Sequence, residues 1–193
     1  MMVKICGITN REDALAAVEA GASAIGFNFY RESPRYISPT GAATIGEKIP
    51  ANVWRVGVFV NESPENIAKI VLDARIDIVQ LHGNSEARGV RIWRAYQADE
   101  SELDQLGLGV EALLIDTPSS ELYGGTGQTF DWSLAKEFSI RVIIAGGLDA
   151  DNVRTAIEQA RPWGVDACSR IEKSPGLKDH DKMRKFVKAA LAS

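Results

Sequence analysis

Residues 3–22, VKICGITNREDALAAVEAGA, join a short apolar run to a segment with helical spacing. The apolar run predicts a strand, and the residues after it predict an amphipathic helix with its buried stripe at Ala14, Leu15, Val18 and Ala22. Thr9 and Glu12 have the spacing of a helix capping box. On this strand, Val3 and Ile5 share one face, and Lys4 and Cys6 share the other. This stretch therefore predicts one strand–helix unit.

The same unit recurs along the rest of the chain. Seven further strand-like runs follow the first: SAIGFNF, VWRVGVFVN, IDIVQLHG, VRIWRAY, EALLIDT, RVIIAGG and WGVDACS. Most of them precede amphipathic segments, whose predicted N-caps include Ser38, Ser63 and Asp149. Regular alternation of this kind indicates an α/β fold with a parallel sheet, and eight units favour closure into a (β/α)8 barrel. An open doubly wound sheet is the alternative.

The length indicates a single, compact barrel domain over residues 1–193. The chain is slightly shorter than the roughly 200 residues at the lower end of the usual size range for this fold. Only the short stretch NSEARG separates the fourth strand from the fifth, so we expect helix 4 to be reduced or missing.

Composition restricts the class of partner. The chain is 45% hydrophobic and 25% charged, with a net charge of −4 and no basic run, which argues against nucleic acid. We identify no signal-peptide pattern and no apolar run near the ~20 residues that a membrane helix needs. With two cysteines, a cytoplasmic location with free thiols is the simplest expectation, although one disulfide stays open.

Barrels of this type place their active sites at the C-terminal ends of the strands. The candidates at those ends, and in the loops after strands seven and eight, are Cys6, Asn28, Asn61, His82, Arg94, Asp116, Gly146, Gly147, Asp166, Ser169 and Arg170. Residues 118–130, PSSELYGGTGQTF, lack the P-loop pattern and are predicted to form a lid over this end.

Cys6 is a candidate base and Asp116 a candidate acid. Cys6 is either a small buried hydrophobic residue or a thiolate whose pKa the neighbouring Lys4 lowers. Asp116 follows the apolar residues 112–115, so it either caps the next turn or stays protonated as a general acid.

Asp166 and His82 have structural alternatives. Asp166 is expected to pair with an inward-facing Lys4, Arg55 or Arg94, or to bind a ligand hydroxyl. A lone histidine at a strand end is more often structural than catalytic, which is the interpretation we favour for His82.

Two features indicate anion binding. The loops AGGLDADN and CSRIEKSPG follow strands seven and eight, where barrels often bind phosphate through backbone amides and a helix N-terminus. Arg35, in SPRYISP, either pairs with a substrate carboxylate or lies exposed against Tyr36.

Taken together, the segments KICGIT, GFNFYRESPRYIS, VQLHG, LLIDT, YGGTGQTFDW, AGGLDADNV and GVDACSRIEKSPGLKDHDKM resemble the phosphoribosylanthranilate isomerase family of tryptophan biosynthesis. The resemblance runs from residue 3 to about residue 190. It implies an Amadori rearrangement of N-(5-phosphoribosyl)anthranilate to 1-(2-carboxyphenylamino)-1-deoxyribulose 5-phosphate. It further implies no metal or organic cofactor and a small-molecule substrate as the partner. We expect a monomer or a homodimer.

The resemblance also implies residue roles. Cys6 is the expected catalytic base, Asp116 the catalytic acid, and Arg35 the ligand of the anthranilate carboxylate. The resemblance places the phosphate loops at Gly146, Gly147, Ser169 and Arg170. Asp166, from its position at a strand end, is a further expected substrate-binding residue.

One departure concerns the phosphate loop. Cys168-Ser169-Arg170 stands where the family usually has Ser-Ser-Gly. A non-glycine residue avoids positive φ, so Arg170 either offers its guanidinium to the phosphate or turns outward.

Two alternative functions stay open. One is the related barrel isomerase of histidine biosynthesis, which performs the same rearrangement on a bis-phosphate substrate and usually uses two aspartates. The other is a non-catalytic barrel that only binds phosphosugars.

Overall fold

The computed structural model describes residues 1–97, 109–116, 135–136 and 138–192. Within them, eight parallel strands pair in chain order and close into a barrel. The strands are β1 (Met2–Ile5), β2 (Ala24–Asn28), β3 (Trp54–Val60), β4 (Ile78–His82), β5 (Arg91–Gln97), β6 (Ala112–Asp116), β7 (Arg141–Ala145) and β8 (Gly164–Ala167). Closure occurs between β1 and β8, with Lys4 opposite Asp166 and Ile5 opposite Ala167. The closed barrel is confirmed over the open sheet.

Five α-helices lie in the described part of the chain: α1 (Arg11–Ala20), α2 (Pro39–Gly46), α3 (Pro64–Ala74), α4 (Val153–Ala160) and α5 (His180–Leu191). Residues 83–90 connect β4 to β5 without a helix. This confirms the expectation that the helix after the fourth strand is reduced or missing. The lid predicted at 118–130 lies outside the described residues. None of the described helices is long and apolar enough to cross a membrane.

A short hairpin follows the last barrel strand and was not predicted. A 3-10 helix, Ser169–Ile171, leads into β9 (Glu172–Ser174), which pairs antiparallel with β10 (Leu177–Lys178). This hairpin follows the C-terminal end of β8, so its side chains can reach the barrel mouth.

Two of the predicted helix starts are confirmed. Ser38 accepts a hydrogen bond from the Gly41 amide at 3.1 Å, and Ser63 accepts one from the Asn66 amide at 3.2 Å. Both satisfy amide groups that a helix leaves without internal partners.

The other two predicted starts are wrong. The N-cap of α1 is Asn10, whose Oδ1 accepts from the Asp13 amide at 2.8 Å, while the Thr9 hydroxyl donates to the Gly176 carbonyl. The N-cap of α4 is Asn152, and Asp149 instead accepts from the amides of residues 151 and 152 in the preceding turn.

The core has two layers, set by the alternation of side chains along each strand. Val3 and Ile5 lie in the layer between barrel and helices, while Met2 lies in the cluster inside the barrel. Trp54, Trp93 and Trp163 pack ring against ring at the N-terminal end of the barrel, with centroids 5.9–6.2 Å apart. Because these rings fill that end, the opposite end is the one that can receive a ligand.

Candidate active site

A buried ion pair forms the floor of the barrel mouth. Lys4 has no exposed surface, and its Nζ donates to both carboxylate oxygens of Asp166 at 3.0 Å. Burial raises the pKa of Asp166 to about 7, and the Lys4 ammonium opposes that rise. The expected pairing of Asp166 is therefore with Lys4, because Arg55 pairs with Asp77 and Arg94 donates to a backbone carbonyl.

Cys6 lies directly above this pair, one residue beyond β1. Its amide donates to the Ala167 carbonyl at 2.9 Å, which extends the β1–β8 register. A hydrogen bond from Cys168 is the main cause that lowers the pKa of the Cys6 thiol well below its usual value; burial opposes it, and Lys4 lowers the pKa further. A Cβ on Gly26 would lie 2.9 Å from Cys6 Sγ, so the glycine leaves room for the sulfur. These contacts favour the thiolate interpretation over inert packing.

Asp116 ends β6 on the same rim. Part of its side chain is open to solvent, yet the barrel encloses it enough that burial is the main cause raising its pKa. The negative charge on Cys6 raises this pKa further, and Lys4 lowers it. The structure thus brings Cys6, Asp116 and Asp166 within electrostatic reach of one another.

Arg35 reaches the mouth from the loop after β2. Its Nε donates to Glu172 at 3.0 and 3.1 Å, and its Nη2 donates at 2.7 Å. A Cβ on Gly7, at φ +72°, would lie 2.7 Å from Arg35 Cδ, so the arginine can cross beside Cys6 only because residue 7 is glycine. The arginine that lies over a tyrosine ring is Arg31, not Arg35.

Glu172 and Lys178 are site residues that the sequence analysis missed. Glu172 is buried beneath Arg35 and also accepts from the buried Lys178 Nζ at 2.8 Å and from the Gly176 amide at 3.2 Å. A Pro-Gly turn inside the stretch EKSPGLK was the available signal for the hairpin that holds both residues.

The two predicted phosphate loops are adjacent. Gly146 and Gly147 have φ of 86° and 60°, a left-handed conformation that glycine adopts readily. The Gly147 carbonyl accepts from Asn152 Nδ2 at 2.8 Å, which ties this turn to the start of α4. An ion pair of 3.4 Å between Arg170 Nη1 and Asp149 Oδ2 joins this loop to the one after β8.

Arg170 occupies its position without backbone strain. Ser169 and Arg170 lie on the 3-10 helix, and Arg170 is not among the non-glycine residues with positive φ. Its guanidinium is exposed and turned toward Asp149. Arginine can therefore adopt the backbone conformation at position 170, where the family usually has glycine.

The strand-end candidates Asn28, Asn61 and His82 make hydrogen bonds within the protein. Asn28 Oδ1 accepts from the Tyr30 amide at 2.9 Å, and Asn61 Oδ1 accepts from the Asn84 amide at 3.0 Å. His82 bonds the Gln80 side chain at 2.9 Å, and burial is the main cause that lowers its pKa. A neutral, hydrogen-bonded His82 agrees with the structural interpretation.

Comparison with known proteins places this chain in a family. A family model described as N-(5'phosphoribosyl)anthranilate (PRA) isomerase matches residues 3–189. The N-(5'-phosphoribosyl)anthranilate isomerase of Solibacter usitatus is 50% identical over 202 residues, which cover 100% of this chain and 98% of the relative. The Thermotoga maritima enzyme is 44% identical over 200 residues, which cover 97% of each chain.

Solved structures agree over the full length. A crystal structure of the Thermotoga maritima isomerase superposes with a TM-score of 0.87 at 42% identity, covering 100% of both chains. A phosphoribosyl anthranilate isomerase in complex with reduced 1-(o-carboxyphenylamino)-1-deoxyribulose 5-phosphate superposes with a TM-score of 0.83 at 38% identity, again covering 100% of both chains. The chain therefore belongs to the N-(5'-phosphoribosyl)anthranilate isomerase family, enzymes of tryptophan biosynthesis.

Proposed function

We propose that this chain performs the Amadori rearrangement of N-(5-phosphoribosyl)anthranilate with Asp116 as general acid and Cys6 as general base. The observation that carries the assignment is that Cys6 and Asp116 lie at the C-terminal ends of β1 and β6, at one barrel mouth, where their surroundings shift the two pKa values in opposite directions. The pKa of Cys6 is lowered, which favours the thiolate, and that of Asp116 is raised, which favours the carboxylic acid. Opposite shifts of this kind are how one site supplies an acid and a base at the same pH.

The first step is ring opening. Asp116 gives its proton to the furanose ring oxygen as the bond from that oxygen to C1 breaks. The lone pair of the anthranilate nitrogen forms the new C1=N bond, which leaves an iminium cation and the Asp116 carboxylate. Partial enclosure of Asp116 favours this step because the neutral acid is the form that burial stabilises.

The second step is deprotonation of C2. The Cys6 thiolate takes the C2 proton, and the electrons of that C–H bond form a C1=C2 double bond while the C1=N electrons return to nitrogen. The resulting enolamine then loses its O2 proton and gains a proton at C1, which gives the ketone product. The Lys4 ammonium beneath Cys6 stabilises the thiolate before this transfer.

Substrate orientation follows from the surrounding groups. Glu172 holds Arg35 through Nε and Nη2, which directs the remaining guanidinium nitrogen, Nη1, toward a substrate carboxylate. We assign the phosphate to the loops that contain Gly146, Gly147, Ser169 and Arg170. Asp166 uses both oxygens to bind Lys4 and retains lone pairs that can accept from a substrate hydroxyl.

Partners and location are part of the same proposal. We assign a small-molecule substrate and a monomeric or homodimeric state; one solved Thermotoga maritima relative is a monomeric form generated from a dimeric isomerase. Cys6 and Cys168 are free thiols, which supports a cytoplasmic location.

The test is loss of anthranilate fluorescence when purified protein is mixed with freshly generated phosphoribosylanthranilate. We expect Cys6→Ser and Asp116→Asn each to lower kcat at least ~100-fold, the scale of a lost general base or acid. Asp73→Asn, which changes an exposed acid on α3, is the matched control and should retain turnover.

Three results would contradict the proposal. Wild-type turnover in either site variant would remove that residue from its role. Activity on the bis-phosphate substrate of the histidine pathway, without activity on phosphoribosylanthranilate, would assign the chain to that reaction. Binding of a product analogue without any turnover would indicate a phosphosugar-binding barrel.

A further inference from the structure

The closure of the barrel places two thiols side by side. Lys4 faces Asp166 across the β1–β8 pair. Cys6 and Cys168 occupy the next inward positions, just beyond the ends of these two strands. A Cβ on Gly7 would lie 3.0 Å from Cys168 Sγ, so the second sulfur rests against the backbone next to Cys6. The two thiols are therefore neighbours, close enough for each to influence the ionisation of the other.

Lys178 and Glu172 restrict the position of Cys168. The buried Lys178 Nζ donates to the Cys168 carbonyl at 3.2 Å and lies 3.8 Å from its sulfur. Glu172 fixes this ammonium with a contact of 2.8 Å. Cys168 therefore has little freedom to turn away from Cys6.

Seven charged or titratable side chains lie within electrostatic reach of the Cys6 sulfur. They are Lys4 on β1, Arg35 in the loop after β2, His82 on β4, Asp116 on β6, Asp166 on β8, Cys168 just beyond it, and Lys178 on β10. His82 and Asp116 have pKa shifts that favour their neutral forms.

The remaining charges favour one thiolate. The ion pairs around the two sulfurs contain the cations Lys4, Arg35 and Lys178 and the carboxylates of Asp166 and Glu172. Even with both carboxylates ionised, three cations against two anions leave one net positive charge in this described network. A single negative charge shared by two adjacent thiols neutralises it.

The proton that remains belongs to Cys168. The interaction between the two thiols lowers the pKa of Cys6 and raises the pKa of Cys168, and burial raises the latter further. The arrangement is then a thiol donor directed at a thiolate acceptor.

We propose that Cys168 is a positioning residue of this active site: its thiol donates a hydrogen bond to Cys6, which holds Cys6 as the thiolate and orients the lone pair that takes the substrate proton. The inference rests on the proposed role of Cys6 as the base. Lys178 and Glu172 support it by holding the Cys168 backbone and sulfur in place.

The test compares Cys168→Ala, which removes the donor, with Cys168→Ser, which retains a hydroxyl donor. Because the chain has two cysteines, Cys6 is the sole thiol in either variant, and its alkylation by iodoacetamide under reducing conditions reports its ionisation directly. In the wild type, the Cys6 peptide is followed by mass spectrometry. A hydrogen bond to a charged acceptor predicts an apparent Cys6 pKa about 1–2 units higher in Cys168→Ala, equal to a loss of about 10–100-fold in the thiolate-to-thiol ratio.

Cys168→Ser is expected to keep the Cys6 pKa within about half a unit of the wild type, since a hydroxyl donates as a thiol does. In Cys168→Ala, kcat relative to the wild type should fall at pH 7 and recover as pH rises through the new pKa, since ionisation of Asp116 affects both proteins alike; a merely structural defect does not produce this recovery. An unshifted Cys6 pKa in Cys168→Ala, or an equal shift in both variants, would overturn the proposal. Turnover by Cys6→Ser would instead defeat the proposed base role while leaving the alkylation result interpretable.

Discussion

Replacing Lys4 with methionine tests the electrostatics of the barrel mouth most directly. The change keeps the length of the aliphatic chain and removes the ammonium that donates to both oxygens of Asp166 at 3.0 Å. The Lys4 side chain is 0% exposed and that of Asp166 is 8% exposed, so water cannot replace the lost donor readily.

The expected magnitude follows from this burial. Breaking a buried pair by removing one partner leaves an uncompensated charge and costs about 3–5 kcal/mol in the free energy of unfolding. For a chain of this size that corresponds to a decrease of about 6–20 °C in Tm. The matched control is Lys69→Met, which breaks an exposed pair with Asp73 on α3 and should cost less than about 0.5 kcal/mol.

The effect should depend on pH with a definite sign. Burial raises the pKa of Asp166 from 3.8 to about 7, so ionisation of this carboxyl lowers the stability of the folded state as pH rises between those values. Without the ammonium the folded pKa is higher still, and the slope of about 1.4 kcal/mol per pH unit continues above pH 7. The full cost of Lys4→Met is therefore expected near pH 8 or above, and a clearly smaller one near pH 6.

Urea unfolding at pH 6 and pH 8.5, followed by tryptophan fluorescence, measures this difference. Adding Asp166→Asn to Lys4→Met removes the buried charge and should recover much of the loss at the higher pH. A destabilisation that is equal at both pH values, or a double variant as unstable as the single one, would refute the reasoning.

Two further predictions concern substrate binding. Arg35→Met removes the guanidinium that Glu172 orients, so KM should rise about 10–100-fold, the scale of a lost charged hydrogen bond, while kcat changes little; a loss confined to kcat would contradict a binding role. Arg170→Gly should change KM by less than about fivefold, because the exposed guanidinium already pairs with Asp149, and a larger rise at fixed ionic strength would show that Arg170 holds the phosphate itself.

Features that depend on neighbours in the chain were predictable from the sequence. The alternation along β1 placed Lys4 and Cys6 on the inner face, because successive side chains of a strand point to opposite sides. The caps at Ser38 and Ser63 were predicted correctly, since a side chain and an amide three residues apart meet through local geometry alone. The rule that parallel strands share one carboxyl end then located Cys6 and Asp116 at the same mouth.

Long-range pairings needed the tertiary structure. The Thr9 hydroxyl bonds the Gly176 carbonyl rather than capping α1, a contact between residues 167 positions apart that no local pattern contains. Arg35 is paired with Glu172 across 137 positions for the same reason. The choice of Lys4 over Arg55 and Arg94 as the partner of Asp166 followed from the register in which β1 meets β8.

The eight strands, the two opposite faces of β1 and the strand-end positions of Cys6 and Asp116 follow from the sequence alone, because periodicity and strand ends are local properties. The roles of acid and base came from the family resemblance. Only the closed barrel decided which charges surround Cys6. Closure between the first and last strands brings Lys4 to Asp166, and Cys6 to Cys168, with the hairpin of Glu172 and Lys178 behind them. Proximity of this kind arises from strand register and packing, which are set by the whole chain at once.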